Sequence, residues 1–359
     1  MPTHPIIAED IRGVLSRTQS LWPDLKGASV FITGATGFFG IWLLETLLAA
    51  NRAFSLECRV NALSRDPSRF IAKAPHLAND QALSFTTGDV RSFEFPSGPV
   101  THIIHAAAEL STTLNASDPA AMFEVCVEGT RRALDLAREK RASKFLLTSS
   151  GAVYGHQPPD LSHVPEDFTG APAPLDRRNA YAEGKRAAEF FCGLAASDQA
   201  APVPVSIARC FAFVGPHLPL DLHFAIGNFI CDALAGRPIR INGDGSPYRS
   251  YLYAAALTEW LITILLRGGP GRAYNVGSEE AVSIIELAKH VVAAAAKLRP
   301  THPPLEIVVA QRAQFSMPAD RYVPNCNRTR EELGVAAVTS LNEAILRTMR
   351  WASQLAQQT

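Results

Sequence analysis

Apolar residues in this chain fall into short unbroken runs separated by longer stretches of helical spacing. Residues 28–33, 59–63, 83–87, 101–106 and 144–149 are five such runs, rich in Val, Ile, Leu and Phe. Strands buried on both faces read as continuous apolar runs rather than alternating ones, and these do. Between and after them, residues 41–50, 122–140 and 180–196 carry helical spacing, and 203–213 supplies a further strand. Strands alternating with helices predict βαβ units and a parallel sheet. A short amphipathic helix is predicted over 9–21, closed by Trp22-Pro23, and the polar, Pro-rich segment 157–178 reads as a loop. Beyond Gly215 the elements shorten and are punctuated by Pro216, Pro219, Gly236, Pro238, Gly243 and Gly245.

Composition narrows the picture by exclusion. The chain has 359 residues, of which 47% are hydrophobic, enough for a sizeable core. Lys+Arg and Asp+Glu are both 34, so the net charge of zero gives no reason to expect nucleic acid or an anionic membrane as partner. The six cysteines stand singly with no Cys-x-x-Cys, which is neither a disulfide framework nor a zinc pattern. The ten histidines show no ligand spacing, so no metal is expected. The start, Met-Pro-Thr-His-Pro followed by Glu9 and Asp10, lacks the regions of a signal peptide, and no apolar run reaches the roughly 18 residues of a membrane span. A cytoplasmic protein is the expectation.

The first candidate chemistry is the loop Thr33-Gly34-Ala35-Thr36-Gly37-Phe38-Phe39-Gly40, between a strand and a helix. Glycines spaced by three let backbone approach a pyrophosphate, while the helix start offers unpaired N–H groups and a positive dipole end. The expected cofactor-binding residues here are Gly34, Thr36, Gly37, Phe38, Phe39 and Gly40. The second strand ends in Leu63-Ser64-Arg65-Asp66. An acid at that point would accept from ribose hydroxyls, whereas an Arg would pair with a 2′-phosphate. Ser64 and Arg65 therefore favour NADP, with NAD as the alternative; the competing reading makes Arg65 a solvated charge and Asp66 a helix cap. After the third strand, Asp89 and Val90 either border the adenine or form a turn.

The second is Tyr181-Ala-Glu-Gly-Lys185, which sets a phenol and an ammonium four residues apart on one helix face. A tyrosine with pKa about 10 is a poor base at neutral pH. A neighbouring cation and a bound nicotinamide lower that value. Upstream, Leu146-Leu-Thr-Ser-Ser-Gly-Ala-Val-Tyr-Gly155 ends a strand in hydroxyl residues, at the edge where open α/β sheets bind ligands. Ser150 would hydrogen-bond the oxygen that Tyr181 protonates or deprotonates. A Tyr-x-x-x-Lys alone is more often structural; joined to the glycine loop and the serine-rich strand end it is a strong signal.

Together with Gly88-Asp89, His105-Ala106-Ala107-Ala108, Arg209 to Pro216, Gly243 to Arg249 and Tyr274-Asn-Val-Gly277, these motifs resemble the extended short-chain dehydrogenase/reductase family of NAD(P)-dependent nucleotide-sugar epimerases and dehydratases. The resemblance runs over residues 28–334. It implies a Rossmann-type doubly wound α/β fold with a smaller C-terminal α/β substrate lobe. The expected division is a helical extension at 1–27, a cofactor domain at 28–214 and a substrate lobe at 215–359, with chain interleaving between the last two. It implies that Tyr181 is the acid/base, that Lys185 binds the nicotinamide ribose and that Ser150 positions a sugar hydroxyl. Ala106, Ala107 and Ala108 would border the cofactor, and Arg249 would bind the diphosphate. Ser149, His217 and Asn228 are further substrate-side candidates, with His223 beside them. The helices near 122–140 and 180–196 carry apolar stripes that in such enzymes pair two subunits, so a homodimer is expected.

The departures from the family pattern select among its reactions. Many 4,6-dehydratases follow the active-site hydroxyl with Asp-Glu, and related decarboxylases tend to keep the glutamate. This chain has Gly151-Ala152, and an alanine moves no proton. Ala212 stands where many members carry an asparagine, Ser250 and Ala256 where aspartates are frequent, and Cys126 where an asparagine often precedes Val-x-Gly-Thr. The expected activity is a nucleotide-sugar epimerase working through a transient ketosugar. An NADPH-dependent ketosugar reductase is the alternative, with a 4,6-dehydratase or a non-catalytic NADP-sensing scaffold behind it. The fallback bases, should Tyr181 not serve, are His217, His223 and Glu109.

Overall fold

The computed structural model describes residues 3–107, 117–221, 224–311 and 319–356. A central sheet of seven parallel strands has the spatial order Arg272–Val276, Val205–Cys210, Lys144–Ser150, His102–His105, Ser29–Thr33, Arg59–Ser64, Leu83–Thr87. In register, Ile32 lies beside Ala62 on one side and Ile104 on the other. Val30, Phe31, Ile32, Ile103 and Ile104 are fully enclosed, which is why their segments read as unbroken apolar runs.

Helices cover both faces. On one, Phe38–Phe54 and Ala254–Arg267 pack Leu44, Leu47, Trp260 and Leu261 against the sheet. On the other, Pro119–Lys140 and Ala180–Ser197 pack Ala133, Leu136, Ala188 and Cys192 against Phe145 and Leu147. The strand Arg272–Val276 and the helix Ala254–Arg267 lie beyond residue 214, so the central sheet and its cover take chain from both sides of that position.

Strand order reverses at Ser29–Thr33. The chain steps outward to Arg59–Ser64 and Leu83–Thr87, then crosses back to His102–His105 on the opposite side. Ligand crevices open at such a switch point, at the carboxyl ends of the strands. The helix after the glycine loop begins at Phe38 rather than 41, because Gly37 in extended backbone already serves as its N-cap.

A second core unites the helices Ala225–Leu234, Ile284–Leu298 and Leu341–Ala356 through Phe229, Ile230, Leu287, Val291, Ile345 and Met349. The N-terminal helix Pro5–Arg17 joins that core with Ile7, Ile11 and Val14. It starts four residues before the predicted 9 because Pro5 fixes the first turn and His4 caps it, accepting from the Ile6 amide. It stops at Arg17, and a 3-10 turn, Gln19–Leu25, carries Pro23. Its polar side is also held: Tyr253 donates to Asp10 at 2.5 Å, and Arg347 reaches Asp10 at 2.9 Å and Glu9 at 3.1 Å. Among the described residues no helix is long and apolar enough to cross a membrane.

Candidate active site

A cavity of about 890 Å³ opens at the switch point, between the carboxyl ends of the strands and the second core. At one end the glycine loop turns under it. Gly34 has φ +69°, and a side chain there would lie 2.5 Å from the Ala106 carbonyl oxygen, so the loop can run this close only as glycine. Gly34, Thr36, Gly37, Phe38 and Phe39 line the cavity. Gly40 does not; its Cβ would lie 2.3 Å from the Ala35 backbone, so its role is to let the helix pack onto the loop. No side chain caps Phe38–Phe54 and no acid stands in its first turn, which leaves that positive end open to an anion.

The far wall is formed by Ser64, Arg65, Asp89 and Val90, with Ala106 and Ala107 between. Ala108 and Glu109 lie outside the described residues. Ser64 Oγ accepts from the Asp66 amide at 3.2 Å, and Asp66 caps the helix Pro67–Lys73. The Asp89 carboxylate is bound by Arg91 at 2.8 Å and held below the usual carboxylate range, chiefly by that hydrogen bond; the Arg65 charge adds to it. Asp89 is thus a loop-fixing group that also borders the cavity.

The middle of the cavity gathers the hydroxyl residues. Ser150 ends its strand with Oγ accepting from the Ala152 amide at 3.1 Å, and it hydrogen-bonds Tyr181. Tyr181 and Lys185 stand one turn apart on Ala180–Ser197. Lys185 is 1% exposed; its Nζ donates to the Thr148 carbonyl at 2.8 Å and sits 5.9 Å from the Tyr181 ring centre. Tyr181 as a whole is half-buried, but its hydroxyl end is against the enclosed Ser150, and burial pushes its pKa well above the ordinary phenol value. The Ser150 hydrogen bond acts in the opposite direction. An added positive charge beside the phenol is what this site needs before Tyr181 can act as a base. Nearby His105 is enclosed, bound to Thr33 at 2.8 Å and Thr130 at 3.1 Å, and pushed down to about 3 by burial and then by Lys185; it stays neutral.

The substrate-side candidates divide. Arg249 lines the cavity, with Nη2 on Asp320 at 2.8 Å and Nη1 donating to the Tyr248 carbonyl. Ser149 borders it too, but its hydroxyl is taken up at 2.5 Å by Glu189, whose carboxylate pairs with Arg209 at 2.7 Å. His217 is off the cavity wall. It adopts φ +70°, its ring lies 4.9 Å from that of Trp351, and its buried Nε2 finds no hydrogen-bond partner among the described residues. Burial first, then the charge of Lys73, pushes it down to about 3, so it is a neutral packing residue and not a base at working pH. Asn228 is exposed: it lies on the outer side of Ala225–Leu234, while Ala225 and Ile226 meet the cavity. His223 lies outside the described residues.

Tyr322 is a polar residue of the cavity that the sequence did not single out. It lies on the short strand Arg321–Tyr322, packs its ring at a tilt on Phe211, with centroids 4.7 Å apart, and brings its hydroxyl to 3.4 Å from Ser150 Oγ. It sits in a Pro-flanked polar segment without periodicity, far along the chain from the serine it meets.

Comparison with known proteins agrees with this geometry. The model of the NAD dependent epimerase/dehydratase family matches residues 30–277. UDP-glucuronic acid decarboxylase 2 of Arabidopsis thaliana is 31% identical over 267 residues, covering 74% of this chain and 57% of that protein. The dTDP-D-glucose 4,6-dehydratase of Bos taurus is 27% identical over 285 residues, covering 78% of this chain and 76% of that protein. Among solved structures, a dTDP-glucose 4,6-dehydratase from Streptomyces venezuelae with NAD bound superposes with TM-score 0.74 at 21% identity, covering 92% of this chain and 98% of that one. The UDP-glucose 4-epimerase of Thermotoga maritima, solved with UDP-glucose, gives TM-score 0.72 at 17% identity, covering 91% and 99%. Those structures share the fold of a seven-stranded parallel sheet with helices on both faces. With its glycine loop at the switch point, its serine, tyrosine and lysine gathered at one cavity, and a family match over most of its length, this chain belongs to the NAD dependent epimerase/dehydratase family.

Proposed function

We propose that this protein is a nucleotide-sugar epimerase that works through a transient ketosugar, with Tyr181 as acid/base. The observation that carries the choice within the family is at Gly151. A Cβ there would lie 2.7 Å from the Phe211 ring and 2.8 Å from the Tyr322 hydroxyl, and the next residue, Ala152, meets the cavity with a methyl group. The position that in dehydratases carries a carboxylate is crowded here, so that Phe211 or Tyr322 would have to shift to admit one, and the residue that would carry the second has no proton to move.

The residues fit a nicotinamide dinucleotide. Gly34 admits backbone to a pyrophosphate, the Phe38–Phe54 helix start is open to its charge, and the cavity is long enough to run from Arg65 to Lys185. Ser64 and Arg65 favour NADP over NAD, which also keeps a ketosugar reductase as the second reading. A bound nicotinamide would supply reversible hydride transfer with the sugar carbon. Tyr181 removes the proton from the sugar hydroxyl as that carbon is oxidised, and gives it back on reduction. Ser150 hydrogen-bonds the same oxygen, Lys185 holds the ribose, and Arg249 grips the diphosphate with its guanidinium fork.

The same reading makes the protein a cytoplasmic homodimer. Phe123, Phe190 and Leu194 stand exposed on the outer sides of the Pro119–Lys140 and Ala180–Ser197 helices, where a second copy would cover them. A single copy by sedimentation at micromolar concentration would remove the dimer.

Incubation with a panel of UDP- and dTDP-sugars, followed by nicotinamide absorbance and sugar composition, tests the activity. An epimerase yields new sugar with no net change in cofactor, and stoichiometric consumption of NADPH indicates the reductase. A 4-keto-6-deoxy product would overturn both.

A further inference from the structure

Tyr322 reaches the serine from a distant part of the chain and takes up a defined place beside it. Its ring is fixed on Phe211 and its oxygen stands 3.4 Å from Ser150 Oγ. Ser150 Oγ has one proton to give and two lone pairs to fill. The Ala152 amide occupies one acceptor direction at 3.1 Å. A phenol that keeps its proton fills the second, and then the serine proton has Tyr181 as its remaining partner. Burial does keep that proton on Tyr322, whose pKa is pushed up to about 12.

The same hydroxyl occupies the space of a missing side chain. A Cβ at Gly151 would approach it to 2.8 Å, so an acidic side chain at 151 competes with the Tyr322 phenol for the same place. The two groups differ in chemistry: a carboxylate accepts protons, whereas a neutral phenol donates a hydrogen bond and abstracts nothing.

We propose that Tyr322 is a positioning residue for the reaction: its hydroxyl directs the Ser150 proton toward Tyr181 and fills the place of an acid at 151, which confines the site to hydride transfer. This rests on the reading of Ser150 and Tyr181 as a working pair. Its consequence is an effect on Tyr181 itself. The serine hydrogen bond favours the ionised tyrosine. Releasing the serine proton from its set direction therefore makes Tyr181 harder to ionise.

The test uses the whole protein saturated with NADP and, in parallel, with NAD, and needs no sugar. Near-ultraviolet phenolate absorbance is followed against pH, and subtraction of the Tyr181→Phe trace isolates Tyr181. Tyr322→Phe keeps the ring on Phe211 and should raise the Tyr181 midpoint by about 0.5–1 pH unit. Ser150→Ala should raise it at least as far. Tyr322→Leu gives the same measurement should the Phe variant fail to fold. An unchanged midpoint in the Tyr322 variants overturns the proposal. If Ser150→Ala still moves it, the serine–tyrosine pairing stands; if Ser150→Ala leaves it unmoved, or no Tyr181 transition is seen, that pairing falls as well.

Discussion

The Lys185 ammonium lies 5.9 Å from the centre of the Tyr181 ring, and it is tied not to the tyrosine but to the Thr148 carbonyl, at 2.8 Å. The lysine is therefore held by the strand that also ends in Ser150. Tyr181→Phe deletes only an oxygen. Turnover on the true nucleotide sugar should fall about 10²–10⁴-fold while dinucleotide affinity survives. Lys185→Met should lower both, since it removes the ribose contact and the nearby charge. Steady-state kinetics beside direct cofactor titration checks the pair, and near-parental turnover in Tyr181→Phe would remove the assignment.

Arg65 lines the cavity next to Ser64 and within electrostatic reach of Asp89. Arg65→Ala should weaken NADP binding by about 1.5–3 kcal/mol, the value of one hydrogen bond to a charged group. NAD binding should change little. Equal losses for both cofactors, or tighter NAD binding in the parent protein, would sink the NADP preference.

The parts of the site that recognisable motifs carry were legible, and they meet at one cavity; positions fixed by packing between distant segments were not. The loop from Gly34 to Gly40 and the pair Tyr181 and Lys185 each lie on one local element, so spacing alone sets their geometry. His217 was a substrate-side candidate because it flanks the expected substrate side, with a plain loop residue as the equal reading. Its side chain turned instead to Trp351, a residue of the last helix that no local pattern connects to it. Asn228 lies off the cavity for a related reason. A helix start near the cavity has an inner and an outer side, and only packing of Ile226 and Phe229 shows which is which. Tyr322 has no local neighbour in the site at all. The element boundaries moved by a few residues where a cap decided them, as at Pro5 and Gly37.

His217 supplies a prediction on pH. Its folded pKa is about 3 against an ordinary 6.5, so the folded state refuses the proton that the unfolded state accepts. Its contribution is complete above about pH 6.5 and is lost as pH falls toward 3. At pH 5 the loss is about 2 kcal/mol. His217→Phe keeps a ring against Trp351 and removes both the titration and the orphaned Nε2. Its Tm should decline less than the parent's between pH 6.5 and 4.5; parallel curves would rule the linkage out.

Gly151→Asp is expected to destabilise rather than to convert the enzyme. The new Cβ meets Phe211 and the Tyr322 hydroxyl at under 3 Å, and rearrangements of that kind cost about 1–3 kcal/mol. The change should appear as a lower urea midpoint, with no 4-keto-6-deoxy product from a dTDP- or UDP-hexose. A variant as stable as the parent would mean that Phe211 and Tyr322 yield easily, and the steric argument for the reaction class would be lost.

The clasp on the first helix bears on how the chain reaches this fold. Ile7, Ile11 and Val14 form an apolar stripe that packs on the nearby helix Phe38–Phe54 and on the much later helix Ala254–Arg267. Asp10 meets Tyr253 across 243 residues of sequence, and Glu9 meets Arg347 across 338. Closing contacts of that span is slow, because the loop entropy must be met before any contact rewards it. The first helix can therefore lean on Phe38–Phe54 early, while its charged side finds Tyr253 and Arg347 only when the last third of the chain has been made. Full docking of the N-terminal segment is thus a late event of folding, although its sequence comes first.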